Sequence, residues 1–275
     1  MTAREPKTAA KETVKAQPTL MMAIGRQRVG KTTFLKVLTE LTQQQGGHPE
    51  IWNTDSLNKS NTIASLGDYV LEPATITAKG QAAWLEQRIE QLVETQNDAI
   101  LDIGGGWTAV HELVKASPLV AQLEELGINL VTVFMIGSEH ADIDYLEDLQ
   151  ANRGFIPKNT VIVINEALLS GRVDASEEIR HILQYPAIEG ALGRGAVYGV
   201  FPALDGIKRV SDRGQSFMDF AANRPVHGFP TSSFFDRCRV SRWLRRDVPK
   251  FLAALGPDYL PRMPAGLPEV MGVGV

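Results

Sequence analysis

A glycine, four residues and then Gly-Lys-Thr is a spacing that binds phosphate. Here it reads Gly25-Arg26-Gln27-Arg28-Val29-Gly30-Lys31-Thr32-Thr33 and matches G-x-x-x-x-G-K-[ST] in full. Gly25 and Gly30 permit backbone conformations that a side chain would obstruct. The N–H groups of the loop, including those of Arg28, Val29 and Thr33, can then converge on phosphate oxygens at the positive end of a following helix. Lys31 reaches toward the β- and γ-phosphates, and the Thr32 hydroxyl ligates Mg²⁺. A chance match in a Gly/Lys loop would lack the flanking context. Here an apolar run, Leu20 to Ile24, precedes the loop, and Phe34, Leu35, Leu38 and Leu41 follow it at helical spacing.

Such a loop needs an acid beside the metal. Asp102 follows Ile100-Leu101 at the end of the strand-like run Ala99 to Ile103 and can hold Mg²⁺ directly or through water; its bland alternative is a strand-end turn residue. Gly104-Gly105-Gly106 is then either a switch beside the γ-phosphate or a tight turn. Asp55 closes a second strand and can place a water or contact the metal, or simply cap a turn. Asn165 follows Val161 to Ile164 and can read a base edge with its amide, or serve as a turn residue.

These residues need a sheet that brings strand ends together. The sequence predicts strands at 20–24, 50–54, 99–103, 128–136, 160–164 and 196–201. Helices are expected from Lys31 to about residue 45, around 84–93, over 110–126 with Pro118 kinking or splitting it, and over 142–151 and 177–185. Strands alternating with helices make an α/β fold, a doubly wound and mostly parallel sheet with helices on both faces. In such a sheet the ligand side is the carboxyl edge of the strands, where Asp55, Asp102 and Asn165 would all lie.

In this order the signals resemble the ParA/MinD family of P-loop ATPases over roughly residues 19–222, and most resemble its plasmid-encoded TraL-type conjugation branch. The resemblance implies a P-loop NTPase fold and a Mg²⁺-dependent ATPase acting as a nucleotide switch in plasmid partition or conjugal transfer. It implies ATP as ligand, adenine contacts from Asn165 and from the segment at Pro202, a homodimer and a protein activator. The family's Lys-Gly-Gly-x-Gly-Lys signature is altered: Arg26 stands at the first lysine, and Gln27 and Arg28 replace the glycines. Arg26 keeps the charge and is the candidate stabiliser of the γ-phosphate. The candidate catalytic set is therefore Lys31, Asp55, Asp102 and Arg26. Alternatives are a metabolic ATP-dependent ligase or kinase of the dethiobiotin synthetase type, and a scaffold that binds nucleotide without hydrolysing it.

A second basic feature lies at 237–250, where Arg237, Arg239, Arg242, Arg245, Arg246 and Lys250 face only Asp247. Val240, Leu244, Phe251 and Leu255 fit the buried stripe of one helix. The arginines are then a solvated face or a non-specific DNA contact. A membrane helix is disfavoured because Pro249 would interrupt it and its apolar face is short. The lone Cys238 reads as a packed core residue, and five scattered histidines show no zinc spacing.

The 275 residues are 44% hydrophobic and 22% charged with a net charge of −4, which excludes wholesale disorder and a uniformly basic coat. One cysteine excludes an internal disulfide. No apolar run reaches the roughly 18 residues of a membrane span. A cytoplasmic protein is expected, with a flexible tail at 1–17, one domain over 18–255 and a loosely ordered tail at 256–275.

Overall fold

The computed structural model describes residues 17–55, 63–66, 69–104, 110, 112–113, 118–151 and 157–272. The first sixteen residues, the rest of 56–68, and Gly105 and Gly106 lie outside them, and with them most of the expected tail and most of the expected glycine switch.

The central strands are apolar at consecutive positions, as strands buried on both faces must be. In β1 (Thr19–Ile24), Leu20, Met22 and Ile24 enter one core and Met21 and Ala23 the other. The other strands are β2 (Glu50–Asn53), β3 (Val70–Leu71), β4 (Ala99–Asp102), β5 (Asn129–Ile136), β6 (Asn159–Asn165) and β7 (Val197–Phe201). They form one seven-stranded sheet in the order β3-β2-β4-β1-β5-β6-β7, with every pair parallel. The doubly wound α/β expectation holds.

Helices cover both faces. On one lie α2 (Ala78–Thr95), α3 (Leu119–Glu125), α4 (His140–Ala151), α5 (Ala175–Leu183) and α6 (Pro186–Gly193). On the other lie α1 (Lys31–Gln44), the short α7 (Ile207–Ser211) and α8 (Phe217–Ala221), then α9 (Phe234–Arg242) and α10 (Val248–Leu255). Pro118 stands at the N-cap of α3 rather than inside a longer helix, because proline fits a helix start and clashes within one.

Pro249 does not break the C-terminal helix. Residues 243–247 widen into a π turn, with Val248 N–H bonded to the Trp243 carbonyl, and Pro249 opens the next helical segment. A proline has no N–H for the carbonyl four residues back. That carbonyl, on Arg245, instead accepts Met271 N–H at 3.0 Å. Val240, Leu244, Phe251 and Leu255 are all buried, together with Trp243, Val248 and Leu252. Cys238 is exposed, not packed in the core, because it falls between the outward arginines of α9.

The chain after Gly256, expected to be loosely ordered, runs against the rest of the protein. Leu260 is buried, Arg262 bonds to Asp98, and Ala265 N–H donates to the Gln45 carbonyl.

Sequence periodicity gives no sign of a polar clamp between α1 and α8. Glu40 is buried on α1, and its carboxylate accepts Phe217 N–H at 2.9 Å and Met218 N–H at 3.0 Å. One turn earlier, Lys36 Nζ donates to the Gln215 carbonyl at 2.7 Å. Burial pushes the Glu40 carboxyl up from 4.5 to about 7, against the two N–H groups and Lys36, which pull it down. A folded pKa above the unfolded one means stability that is complete below about pH 4.5 and lost as pH rises through 7. The loss is on the order of 3 kcal/mol. Asp102 titrates in the same direction. Urea melts at pH 5 and pH 8 are expected to show a smaller pH difference in Glu40→Gln than in the unmodified chain. An equal difference in both would show that Glu40 does not titrate in this way.

Candidate functional site

Because the strands are parallel, the ends of β1, β2, β4, β5, β6 and β7 share one edge. The register pairs Ala23 with Asp102, Asn53 with Asp102, Ile24 with Phe134 and Asn165 with Phe201. The loop from Gly25 to Gly30 therefore leaves β1 between the ends of β4 and β5.

The loop's shape depends on its glycines. Gly25 has φ +147°, and a Cβ there would stand 2.5 Å from the Met135 carbonyl oxygen of β5. Gly30, at φ +101° and ψ 11°, is the left-handed residue that opens α1. Arg28 also takes a positive φ of 66° and is exposed, although a side chain disfavours that conformation. Val29 is buried. No side chain caps the start of α1 and no acid stands in its first turn. By contrast Thr77, Asp174 and Ser216 cap α2, α5 and α8. The first N–H groups of α1 are thus left for an anion.

Lys31 is 8% exposed, and its ammonium donates to the carbonyls of Gly25 at 2.8 Å and Arg26 at 2.9 Å. Burial lowers its pKa, opposed by the charges of Asp102 and Asp55. Thr32 Oγ1 donates to Asp102 Oδ2 at 2.8 Å. Asp102 is 1% exposed, and its other oxygen, Oδ1, is buried with no hydrogen-bond partner among the described residues. Burial pushes its carboxyl up to about 6, against the Thr32 hydroxyl and Lys31. A buried carboxylate oxygen without a donor, beside a threonine hydroxyl, fits a Mg²⁺ ion held by Thr32 and Asp102.

Asp55 lies at the same edge, where a Cβ at Gly104 would be 3.4 Å from Asp55 Oδ1. Its N–H is held by Asn53 Oδ1 at 3.0 Å. Thr54 bonds through N–H and hydroxyl to the Asp102 carbonyl, which ties the two strand ends together. The structure thus gathers Lys31, Thr32, Asp102 and Asp55 at one point.

Three candidates are engaged elsewhere. Arg26 Nη1 donates to Glu139 Oε2 at 2.8 Å and Asp142 Oδ1 at 3.0 Å, beyond the end of β5. Asp142 is itself fixed by Gly137 N–H at 2.8 Å. Asn165 donates its amide to the Val29 carbonyl and accepts Ala167 N–H. Pro202 follows β7, and its carbonyl accepts Trp243 Nε1–H at 2.9 Å. Neither Glu139 nor Asp142 was marked by sequence spacing, since both sit in an ordinary acidic helix start.

Arg239, Arg242, Arg245 and Lys250 of the basic segment project outward, Arg237 is half-buried, and acids hold part of the segment. Asp236 pairs with Arg209 and Arg239, and Arg242 lies 3.8 Å from Asp247. The Arg237 guanidinium stacks on Phe234, one of two adjacent exposed phenylalanines. Arg245 and Lys250 are exposed and Arg246 is half-buried.

No protein-family model matches the chain, and no curated protein matches it. Solved structures do share its architecture at low identity. The signal recognition particle receptor FtsY from Elizabethkingia anophelis is 11% identical, with a TM-score of 0.45, covering 68% of this chain and 59% of that one. This chain therefore spans little more than half of that FtsY. MinD from Aquifex aeolicus, in its MinC:MinD cell division complex, is 14% identical over 74% of this chain and 88% of its own, with a TM-score of 0.41. Apo McdA from Cyanthece is 12% identical over 72% and 90%, with a TM-score of 0.45. The likeness is one of layout, in the sheet and its helices.

Proposed function

We propose that this chain is a Mg²⁺-dependent ATPase of the ParA/MinD kind, a slow nucleotide switch completed by a protein partner or a second copy. TraL-type conjugal transfer or plasmid partition is its proposed setting. The observation that carries the reading is the Thr32 hydroxyl on Asp102 at 2.8 Å, with Asp102 Oδ1 open and Lys31 beside it under an uncapped helix.

In this reading the N–H groups of residues 28–33 orient the phosphate chain. The Lys31 ammonium moves from two neutral carbonyls to phosphate oxygens. Thr32 and Asp102 would hold Mg²⁺, which would supply charge neutralisation to the phosphate chain. Asp55 orients the attacking water. Arg26 stabilises charge at the γ-phosphate once it leaves Glu139 and Asp142, and that resting pairing favours slow basal turnover. Pro202 flanks the base. Duplex DNA is a candidate effector through Arg237, Arg239, Arg242, Arg245, Arg246 and Lys250, of which Arg239 and Arg242 already face acids.

The test is phosphate release from ATP with Mg²⁺, with and without duplex DNA, in the unmodified chain and in Arg26→Ala. Slow Mg²⁺-dependent turnover is expected, falling about a thousandfold or more in the variant, in the range that loss of such an arginine produces. Stimulation by DNA would assign the basic segment. ATP binding without phosphate release under any of these conditions would favour the scaffold. Phosphate transfer to a small acceptor would favour the metabolic enzyme.

A further inference from the structure

We infer that Asn165 is a positioning residue of the phosphate loop and not a reader of the base; the inference rests on the reading of residues 25–33 as a phosphate site. Its Nδ2 donates to the Val29 carbonyl at 2.8 Å, and its Oδ1 accepts Ala167 N–H at 3.1 Å. The side chain is 8% exposed. The amide also packs directly on the next residue, since a Cβ at Gly30 would stand 2.5 Å from Asn165 Nδ2.

The consequence follows from the planar trans peptide. In such a unit the carbonyl and the N–H point to opposite sides. Holding the Val29 carbonyl on Asn165 therefore aims the Gly30 N–H away from Asn165. That N–H immediately precedes Lys31 and belongs to the set that a phosphate group must meet. The loop is gripped at two places: Gly25 lies against the Met135 carbonyl of β5, and Val29–Gly30 is held by the end of β6. Asn165 acts on the phosphates through the backbone, without touching them. Its amide oxygen is already tied to Ala167 N–H, where the 3-10 turn Glu166–Leu168 begins.

The two roles separate with a ligand that has no base. Dissociation constants for inorganic tripolyphosphate, ATP and GTP, each with Mg²⁺, are measured by calorimetry for the unmodified chain, Asn165→Ala and Asn165→Asp. Asparagine to aspartate keeps the shape and the acceptor for Ala167 N–H but sets a carboxylate against the Val29 carbonyl. Both variants are expected to weaken all three ligands by one common factor of about ten, the worth of a buried hydrogen bond, and to leave the ATP:GTP ratio unchanged. Aspartate should be at least as harmful as alanine, and thermal melts confirm that the variants are folded. A loss confined to ATP, a changed ATP:GTP ratio or no loss for tripolyphosphate would overturn the inference. Failure of the unmodified chain to bind tripolyphosphate or ATP would overturn the phosphate-site reading itself, and the positioning role with it.

Discussion

Lys31→Ala is expected to lower ATP turnover about a hundred- to a thousandfold while leaving the folded protein nearly as stable as before. The two halves of this expectation have one cause. Among the described residues the buried Lys31 ammonium has the carbonyls of Gly25 and Arg26 as hydrogen-bond acceptors, and burial already lowers its pKa. Removing it loses two charge-assisted bonds but also relieves the desolvation of a buried cation, so the two terms largely offset one another. In the proposed reading the balance changes when phosphate arrives, because the ammonium then meets anionic oxygens in a site with little water. Charge that develops there loses its fixed counter-charge in the alanine variant. Lys31→Arg is no remedy, since a planar fork cannot occupy the space of an ammonium folded back on two carbonyls. Phosphate release together with a thermal melt checks both halves. Full turnover in the alanine variant would remove Lys31 from the chemistry. A collapse of the melting temperature would make it a structural residue.

The parts of this site that sequence could express are those with local signals. The loop from Gly25 to Thr33 takes its turn from two glycines and a following helix, so its pattern is visible in nine residues, although β5 and β6 also hold it. Asp102 and Asn165 were identifiable because each ends a strand, Asp55 because it lies two residues past one, and a parallel sheet sends strand ends to one edge. What escaped depends on pairs distant in the chain. Arg26 meets Glu139 and Asp142 only because β5 lies beside β1. Glu40 and Lys36 look like the solvated face of an amphipathic helix until α8 covers them. The same limit applies to elements. Helices of five residues, such as α7 and α8, are too short to show a period, and the two residues of β3 make no strand signal. Pro249 was legible as a residue that cannot donate, but not the answer the fold gives. A π turn accommodates it, and Met271 supplies a donor to the Arg245 carbonyl. Cys238 shows the reverse error. Cysteine is usually buried, yet its place between two outward arginines on α9 puts it in solvent.

Asp98→Ala is expected to cost about 3–5 kcal/mol of stability without changing nucleotide affinity. Asp98 precedes β4, at the opposite ends of the strands from the phosphate loop. It is 5% exposed, and its carboxylate accepts three donors. Oδ1 takes Thr19 N–H at 2.8 Å and Arg262 Nε–H at 2.9 Å, and Oδ2 takes Arg262 N–H at 2.6 Å. Arg262 Nη2 also donates to the Gln96 carbonyl at 2.7 Å. One side chain thus fastens the start of β1, the turn into β4 and the C-terminal segment. Alanine leaves two backbone N–H groups without acceptors and a guanidinium without its counter-charge, and water cannot readily replace a carboxylate in so closed a place. Asp98→Asn keeps the shape and one acceptor oxygen, and should cost about half as much. Arg262→Ala should cost less again, because the guanidinium is one-third exposed and its loss leaves Asp98 bonded to two backbone N–H groups. Urea melts with unchanged slopes would establish that order. A cost below about 1 kcal/mol in Asp98→Ala would mean that the three bonds are replaceable by solvent. A change in ATP affinity would mean that this edge of the sheet and the phosphate edge do not act independently, which the rigid parallel strands between them argue against.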